Sequence, residues 1–380
     1  MSAIVRTTCA VVVAAALIAV GLTWDISWHR SVGRDTFWTA PHLVEYLAAI
    51  LVATSCGWLI LRSTFSAAGE RDRMVRFWGF WGPLGAWVAV WGSVAMLVSA
   101  PFDNWWHNAY GLDVKIVSPP HIVLGVGMMA IVVGAMLLAL AGQNSLVGND
   151  RRRFNLLFAV ASAVLLLTKT TMTFEYTGFP NLWRGRLFYL VSAATVPILL
   201  AAVARAGRLR WPATTMAALF MLMSLVLSWT LEQVPATPRL APINNPITHL
   251  VAAPFPVVLV VPALVFDLVR RWWGDRRDWR LAGLLGIGFV LALLAVSWPL
   301  SGFLLSPAAR NPVFLADQWD YSVRLGPWRY EHWDALRGGR EILHAGGFAV
   351  GKAVLFAMLL AAVSSRIGLW WGNWMGRVRR

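Results

Sequence analysis

The stretch PPHIVLGVGMMAIVVGAMLLALAG, residues 119–142, decides the fold. It holds no Asp, Glu, Lys or Arg, and as a helix it would be about 36 Å long, enough to cross roughly 30 Å of hydrocarbon. Comparable runs lie on either side of it. Together they predict helices over residues 5–24, 41–62, 78–100, 119–142, 154–174, 187–206, 211–232, 248–269, 281–300 and 346–368. The chain has 380 residues, 58% of them hydrophobic and only 13% charged, with a mean hydropathy of +0.61. A soluble domain carries roughly twice that charged fraction. The expected fold is therefore an all-α polytopic membrane protein, with about ten transmembrane helices arranged as hairpins in a single membrane domain over residues 1–380. The lipid bilayer is its first partner.

The N-terminal run could be mistaken for a signal peptide. No small-residue cleavage pattern follows it, and Trp24-Asp25 begins a repeat described below, so it reads as a transmembrane helix.

The net charge is +15. It does not imply a nucleic-acid partner, because the arginines fall in short connections between apolar runs. Arg62, Arg71, Arg73 and Arg76 follow the second run, Arg151–Arg153 the fourth, Arg205, Arg208 and Arg210 the sixth, and Arg270, Arg271, Arg276, Arg277 and Arg280 the eighth. The tail adds Arg377, Arg379 and Arg380. Every even-numbered connection is basic, as the positive-inside rule expects of cytoplasmic loops. This predicts both termini in the cytoplasm of a bacterial-type inner membrane, with the odd connections on the periplasmic side. The longest odd connection, residues 301–345, is expected to form a loop or cap. Cys9 and Cys56 both lie in apolar runs and suggest neither a disulfide nor a thiolate site. Tryptophans gather at helix ends, as an interfacial belt does.

Two segments repeat one pattern. Asp25-Ile26-Ser27-Trp28-His29 is followed by Gly33-Arg34-Asp35 and Pro41-His42; Asp103-Asn104-Trp105-Trp106-His107 is followed by Gly111-Leu112-Asp113 and Pro120-His121. Both lie in odd connections, which predicts duplication of a two-helix unit over residues 1–62 and 78–142. Asp and His four residues apart share one face of a helix. Proline suits the first turn of the helix that returns the chain. Each hairpin thus offers a carboxylate and two imidazoles, a recurrent metal set. The candidate ligands are Asp25, His29, His42, Asp103, His107 and His121. Copper, iron and zinc all suit imidazole and carboxylate. Asp35 and Asp113 either orient an imidazole through its second nitrogen or are turn residues after glycine. Glu45 follows His42 by one turn but has Leu124 as its counterpart. Glu232 and His249 repeat the separation of Asp25 and His42, with Asn245 four residues before His249; Glu341 and His344 echo it more weakly. Lys169, deep in the fifth run, is expected to pair with a carboxylate such as Glu175.

Asp-x-x-x-His followed about thirteen residues later by His resembles the metal-binding motif in the C subunit of copper membrane monooxygenases, the family of particulate methane and ammonia monooxygenases. Asp25, His29 and His42 match its spacing; Asp103, His107 and His121 match with one extra loop residue. Asn245 and His249 match a second element of that family, without the later histidine. The resemblance covers well under a fifth of the chain, which also has more helices than that subunit and carries the motif twice. It implies copper, a site facing the periplasm, and oxidation of a small apolar molecule by dioxygen. A reductase module is absent from the sequence, so an enzyme of this kind needs an electron donor or other membrane subunits; a homo-oligomer is also compatible. Two further readings compete. One is a membrane copper-handling or assembly protein. The other is a non-catalytic subunit whose Asp/His pairs only brace the hairpins. No residue stands out as a catalytic acid, base or nucleophile.

Overall fold

A computed structural model describes residues 3–33, 35–65, 74–111, 118–274, 278–316, 318–323 and 347–379. The protein is an all-α polytopic membrane protein. Among the described residues, nine helices are long and apolar enough to cross a bilayer.

The helices run in the order α1 (Ala3–Ser31), α2 (Ala40–Phe65), α3 (Leu84–Tyr110), α4 (Pro119–Ser145), α5 (Gly148–Met172), the single turn α6 (Phe174–Thr177), α7 (Arg186–Ala206), α8 (Pro212–Leu231), α9 (Val260–Trp273), α10 (Asp278–Leu304) and α11 (Gly347–Met375). A two-stranded hairpin, β1 (Val75–Phe77) with β2 (Phe80–Gly82), lies in the connection before α3, with Arg76 opposite Trp81. The chain divides into two compact units. The first comprises residues 1–25, 35–168 and 376–380; the second comprises 26–34 and 169–375.

In the first unit, α3 and α4 cross closely because both present small residues. A Cβ on Gly92 would stand 2.7 Å from the Gly127 carbonyl oxygen, and one on Gly134 would stand 2.7 Å from that of Gly85. Gly85, Gly92, Gly127 and Gly134 form a seam with a seven-residue repeat. Lipid gives apolar helices no hydrophobic reason to associate, so close backbone approach of this kind holds such pairs together. The second unit uses the same device where Gly372 of α11 meets α7, with its Cβ position 2.8 Å from the Ala202 carbonyl.

The helix expected over 248–269 takes another form. Residues 250–259 are irregular, and the helix begins only at Val260 and has 14 residues. Pro254 and Pro256 explain this, since each removes a backbone N–H and disfavours helix in the residue before it. Leu250, Val251 and Ala252 are nonetheless buried. Their backbone finds partners within the second unit: Leu250 N–H donates to Val234 O (2.9 Å), Val251 N–H to Ser31 Oγ (2.6 Å) and Ala252 N–H to Gln318 Oε1 (3.1 Å). Arg30 donates to Ala252 O at 2.8 Å and pairs with Asp320 at 2.6 Å. The expected cap falls partly within the described residues: α10 continues to Leu304 and a 3₁₀ turn covers Pro307–Ala309. Residues 324–346, including Glu341 and His344, lie outside them.

Candidate metal centre

The two copies of the repeat end and begin their helices in the same way. Gly33 and Gly111 both have positive φ, +81° and +89°. They follow α1 and α3, and Gly111 N–H donates back to His107 O at 3.0 Å. The helices stop there because only glycine adopts such a backbone without strain. At the other end, Ser118 is the N-cap of α4 and its hydroxyl accepts from His121 N–H at 3.4 Å. Thr39 holds the matching place before α2, bonded through Oγ1 to Thr36 N–H at 2.7 Å. The shared motif therefore includes a hydroxyl residue three positions before the second histidine. That signal was present in the sequence and is ordinary capping chemistry.

In the first copy the chain brings Asp25, Asp35 and His42 together. One ligand atom from each lies within 4.8 Å of the others. His42 Nε2 stands 3.2 Å from Asp25 Oδ1 and 3.4 Å from Asp35 Oδ2. The three side chains are about a fifth exposed, at 21%, 23% and 18% in chain order. Glu45 is buried on the next turn of α2 and lies over Gly21, whose Cβ position is 2.6 Å from Glu45 Cγ. It stands within electrostatic reach of both Asp25 and His42. His29 is exposed, falls in the second unit, and is not part of this three-residue group. Asp35, whose sequence reading left two roles open, stands in the group directly.

In the second copy Asp103 meets both imidazoles, with Oδ2 3.3 Å from His107 Nε2 and Oδ1 3.5 Å from His121 Nε2. Asp113 lies outside the described residues. The contact common to both copies joins the first aspartate to the second histidine, Asp25 to His42 and Asp103 to His121. Tyr46 links the two places. Its hydroxyl donates to Phe37 O at 3.2 Å, and it lies within electrostatic reach of Glu45, Asp103, Asp25 and Asp35. Both clusters therefore open at the same end of the first unit.

The decisive detail is on the other face of each ring. His42 Nδ1 lies 2.9 Å from the Thr36 carbonyl oxygen. A carbonyl can only accept, so Nδ1 carries the proton. In a singly protonated ring Nε2 would then point a lone pair at two carboxylates. That arrangement is repulsive unless Nε2 holds a second proton or a cation sits between them. His107 repeats it, with Nδ1 3.3 Å from Gly111 O and Nε2 toward Asp103. A carbonyl behind an imidazole whose far nitrogen faces carboxylates is the orientation that metal-ligating histidines adopt. The spacing also fits. Ligand atoms about 2.1 Å from a transition metal lie about 3.0–3.5 Å from each other in octahedral or tetrahedral geometry. The separations of 3.2 and 3.4 Å in the first cluster fall there. In the second cluster the 3.3 and 3.5 Å contacts use different oxygens of Asp103, and its three residues do not form a group with one ligand atom from each within 4.8 Å of the others.

The remaining candidates belong to the second unit. Glu232 accepts from Gln318 Nε2 at 3.1 Å and faces His249 electrostatically; burial pushes its carboxyl above the usual range. Asn245 donates to Trp319 O at 3.2 Å and so braces a loop. His249 is exposed beside Thr248 Oγ1, 2.9 Å away. Among the described residues Glu232 and His249 belong to no metal-sized group of three His, Cys, Asp or Glu side chains. Lys169 and Glu175 form no ion pair among the described residues, and Glu175 is exposed. The sequence reading also missed Arg30 with Asp320, since nothing in a local pattern joins residues so far apart in the chain.

No family model matches the chain, and no curated protein or solved structure is significantly similar to it.

Proposed function

We propose that the protein is a membrane metalloprotein that holds a divalent transition metal in the Asp/His clusters of its first unit and oxidises a small apolar substrate there. The observation that carries the metal reading is the arrangement of His42. Its Nδ1 is committed to a backbone carbonyl, and its Nε2 faces Asp25 and Asp35 at bonding distances for a shared ion. The oxidative reading rests on the resemblance to the copper membrane monooxygenases.

The two clusters differ in donor set. Asp25, Asp35 and His42 give two carboxylates and one imidazole; Asp103, His107 and His121 give one carboxylate and two imidazoles. Neither contains sulfur, so neither favours Cu(I). The oxygen-rich first set suits iron, zinc or manganese, and the second suits copper, iron or zinc. A redox-active metal would supply the electron chemistry. The chain's own residues do the rest. Thr36 O and Gly111 O fix the two rings, and Asp25 and Asp103 hold the charge opposite them. Glu45 adds a buried carboxyl within electrostatic reach of Asp25 and His42. Electrons would come from a donor outside the chain. On the charge pattern, the clusters face the periplasm of a bacterial-type inner membrane.

Metal quantification on detergent-purified protein tests the first step. Up to two ions per chain are expected, with His42→Ala and His121→Ala each losing one and their combination losing both. Unchanged metal in all three variants would reject ligation. Dioxygen consumption dependent on a small hydrocarbon, lost in the same variants, tests the second step. Full metal loading with no such consumption would reject the oxidative reading and leave the metal site standing.

A further inference from the structure

The β1–β2 hairpin carries more aromatic surface than a chain reversal needs. Its tip reads Phe77-Trp78-Gly79-Phe80. Phe77 pairs with Phe80, and Trp78 and Gly79 make the turn with φ +49° and +86°. A two-residue turn with both φ values positive favours Asn, Asp or Gly, and a bulky residue there is uncommon. Trp78 therefore stands at a backbone cost, and its ring does not repay that cost by burial. It is 77% exposed, with Phe77 and Phe80 at 39% and 38%.

The hairpin is fixed against two membrane-spanning helices, all within the first unit. Trp87 Nε1 of α3 donates to Val75 O at 3.2 Å. The Phe77 ring lies 5.4 Å from the Trp87 ring, and the Trp78 ring meets Trp91 edge-on at 5.6 Å. On the other strand Trp81 N–H donates to Thr64 Oγ1 of α2 at 2.8 Å, and a Cβ on Gly82 would stand 2.7 Å from Ile60 Cγ1. The tip thus turns along α3 and not away from it. Trp91 lies seven residues after Leu84, about 10 Å along the axis, and helical side chains lean back toward the N-terminus. This puts the tip about 5–10 Å past the start of the helix. Leu84 to Asp103 covers about 28 Å, close to the thickness of the hydrocarbon layer. Trp91 is itself 44% exposed on that span, so Trp78 continues a lipid-facing surface.

The hairpin's chemistry fits that depth. Unpaired strand edges are not tolerated in hydrocarbon, and here Trp87 and Thr64 supply a side-chain partner to one backbone group of each strand. Arg76, one pair further from the tip, is exposed and lies over the Trp81 ring, 5.8 Å from its centroid. Tryptophan favours the headgroup level, and arginine is attracted to acidic headgroups. We infer that the hairpin is a membrane anchor. Phe77, Trp78 and Phe80 enter the boundary between headgroups and acyl chains beside α3, and Arg76 meets the phosphodiesters of the same leaflet. The anchor is independent of the Asp/His clusters and does not rest on the metal reading.

Nitroxide labels on the full chain test the depth, in lipid nanodiscs of phosphatidylglycerol and phosphatidylcholine and in a Cys9→Ala/Cys56→Ala background. Labels at Trp78→Cys and Phe80→Cys should collide more with dioxygen than with a water-soluble nickel chelate, at a depth of about 5–10 Å below the headgroup boundary. Asn149→Cys, at the exposed start of α5, sets the aqueous limit, and Val98→Cys, exposed in the middle of α3, sets the lipid limit. Two tip positions keep the test open if one substitution disturbs the turn. Nickel collisions at both positions equal to those at the aqueous limit would overturn the proposal and put the tip in water. Shielding of both positions from both reagents would also overturn it, and would assign the face to a second protein chain.

Discussion

Asp25→Asn tests the metal reading at its centre. The substitution keeps the shape of the side chain and removes its charge. In the cluster, Asp25 Oδ1 lies 3.2 Å from His42 Nε2. The attraction lost is that between the Asp25 charge and the ion; it is partly offset by the charge's attraction to the protonated ring in the metal-free state, about 5 kcal/mol at an effective dielectric of about 20, and the ion's double charge leaves the balance on the side of weaker binding. Partial exposure reduces this, and the amide retains some capacity to bind, so a net loss of about 2–3 kcal/mol is expected. That is roughly a 30- to 150-fold weaker metal affinity at the first site. The same geometry fixes a proton count. Because His42 Nδ1–H is committed to Thr36 O, the metal-free ring facing two carboxylates must hold its second proton on Nε2. An ion at that position displaces it. One proton should leave per ion bound, and the affinity should rise about tenfold per pH unit while the free ring is charged. Calorimetric titration with Zn²⁺, run in buffers of different ionisation enthalpy, reads both quantities. Undiminished affinity in Asp25→Asn would refute the reasoning, as would binding that releases no proton. His29→Ala is the control, since His29 is outside the three-residue group and should change affinity less than His42→Ala.

Three further outcomes follow from the packing. Gly92→Leu would drive a side chain into the Gly127 carbonyl 2.7 Å away, costing about 1–3 kcal/mol and separating α3 from α4; metal content should fall toward one ion per chain, with the first cluster retained. Arg30→Met leaves Asp320 and the Ala252 carbonyl without their partner and should cost about 2–4 kcal/mol in thermal unfolding, with part of the loss recovered in Arg30→Met/Asp320→Asn. Glu232 has a carboxyl raised by burial, so the stability it allows is fully present below the ordinary glutamate range near 4.5 and is lost as pH rises through its folded value. Glu232→Gln should flatten the pH dependence of the unfolding midpoint on the alkaline side of that range, and an unchanged profile would contradict the assignment.

The sequence makes the hairpin repeat legible because its punctuation is local. Gly33 and Gly111 end helices through positive φ, and Pro41 and Pro120 open them; both are rules about a single turn of chain. The spacing also placed His42 and His121 opposite Asp25 and Asp103. It put His29 before Asp35 as the third member of the first cluster, whereas the residues that come together are Asp25, Asp35 and His42. That choice depends on how the chain leaves α1 between Gly33 and Thr39, and on the bonds of Thr36 with Thr39 and His42. The tie from Arg30 to Asp320 was illegible for a different reason. It joins the end of α1 to a loop 290 residues later, and no period or cap encodes a partner at that distance. Pro254-Phe255-Pro256 is a local signal against a continuous helix over 248–269, and the high hydropathy of the run masks it.

That broken segment bears on topology. Nine crossings would leave the Arg270–Arg280 connection on the opposite side from the Arg205–Arg210 connection. Arg270 donates to Ala204 O and Arg271 to Arg210 O, so the two lie together, and residues 250–273 return the chain to that side. A 14-residue helix is about 21 Å long and cannot do this alone. The extended residues before it can supply the remainder, provided their backbone is satisfied by protein rather than lipid. Ser31, Arg30 and Gln318 do that for Val251 and Ala252. On this argument the buried arginine has a structural role. It stands where a proline-broken irregular segment needs a donor that does not depend on helical repetition, and Asp320 holds its charge in place.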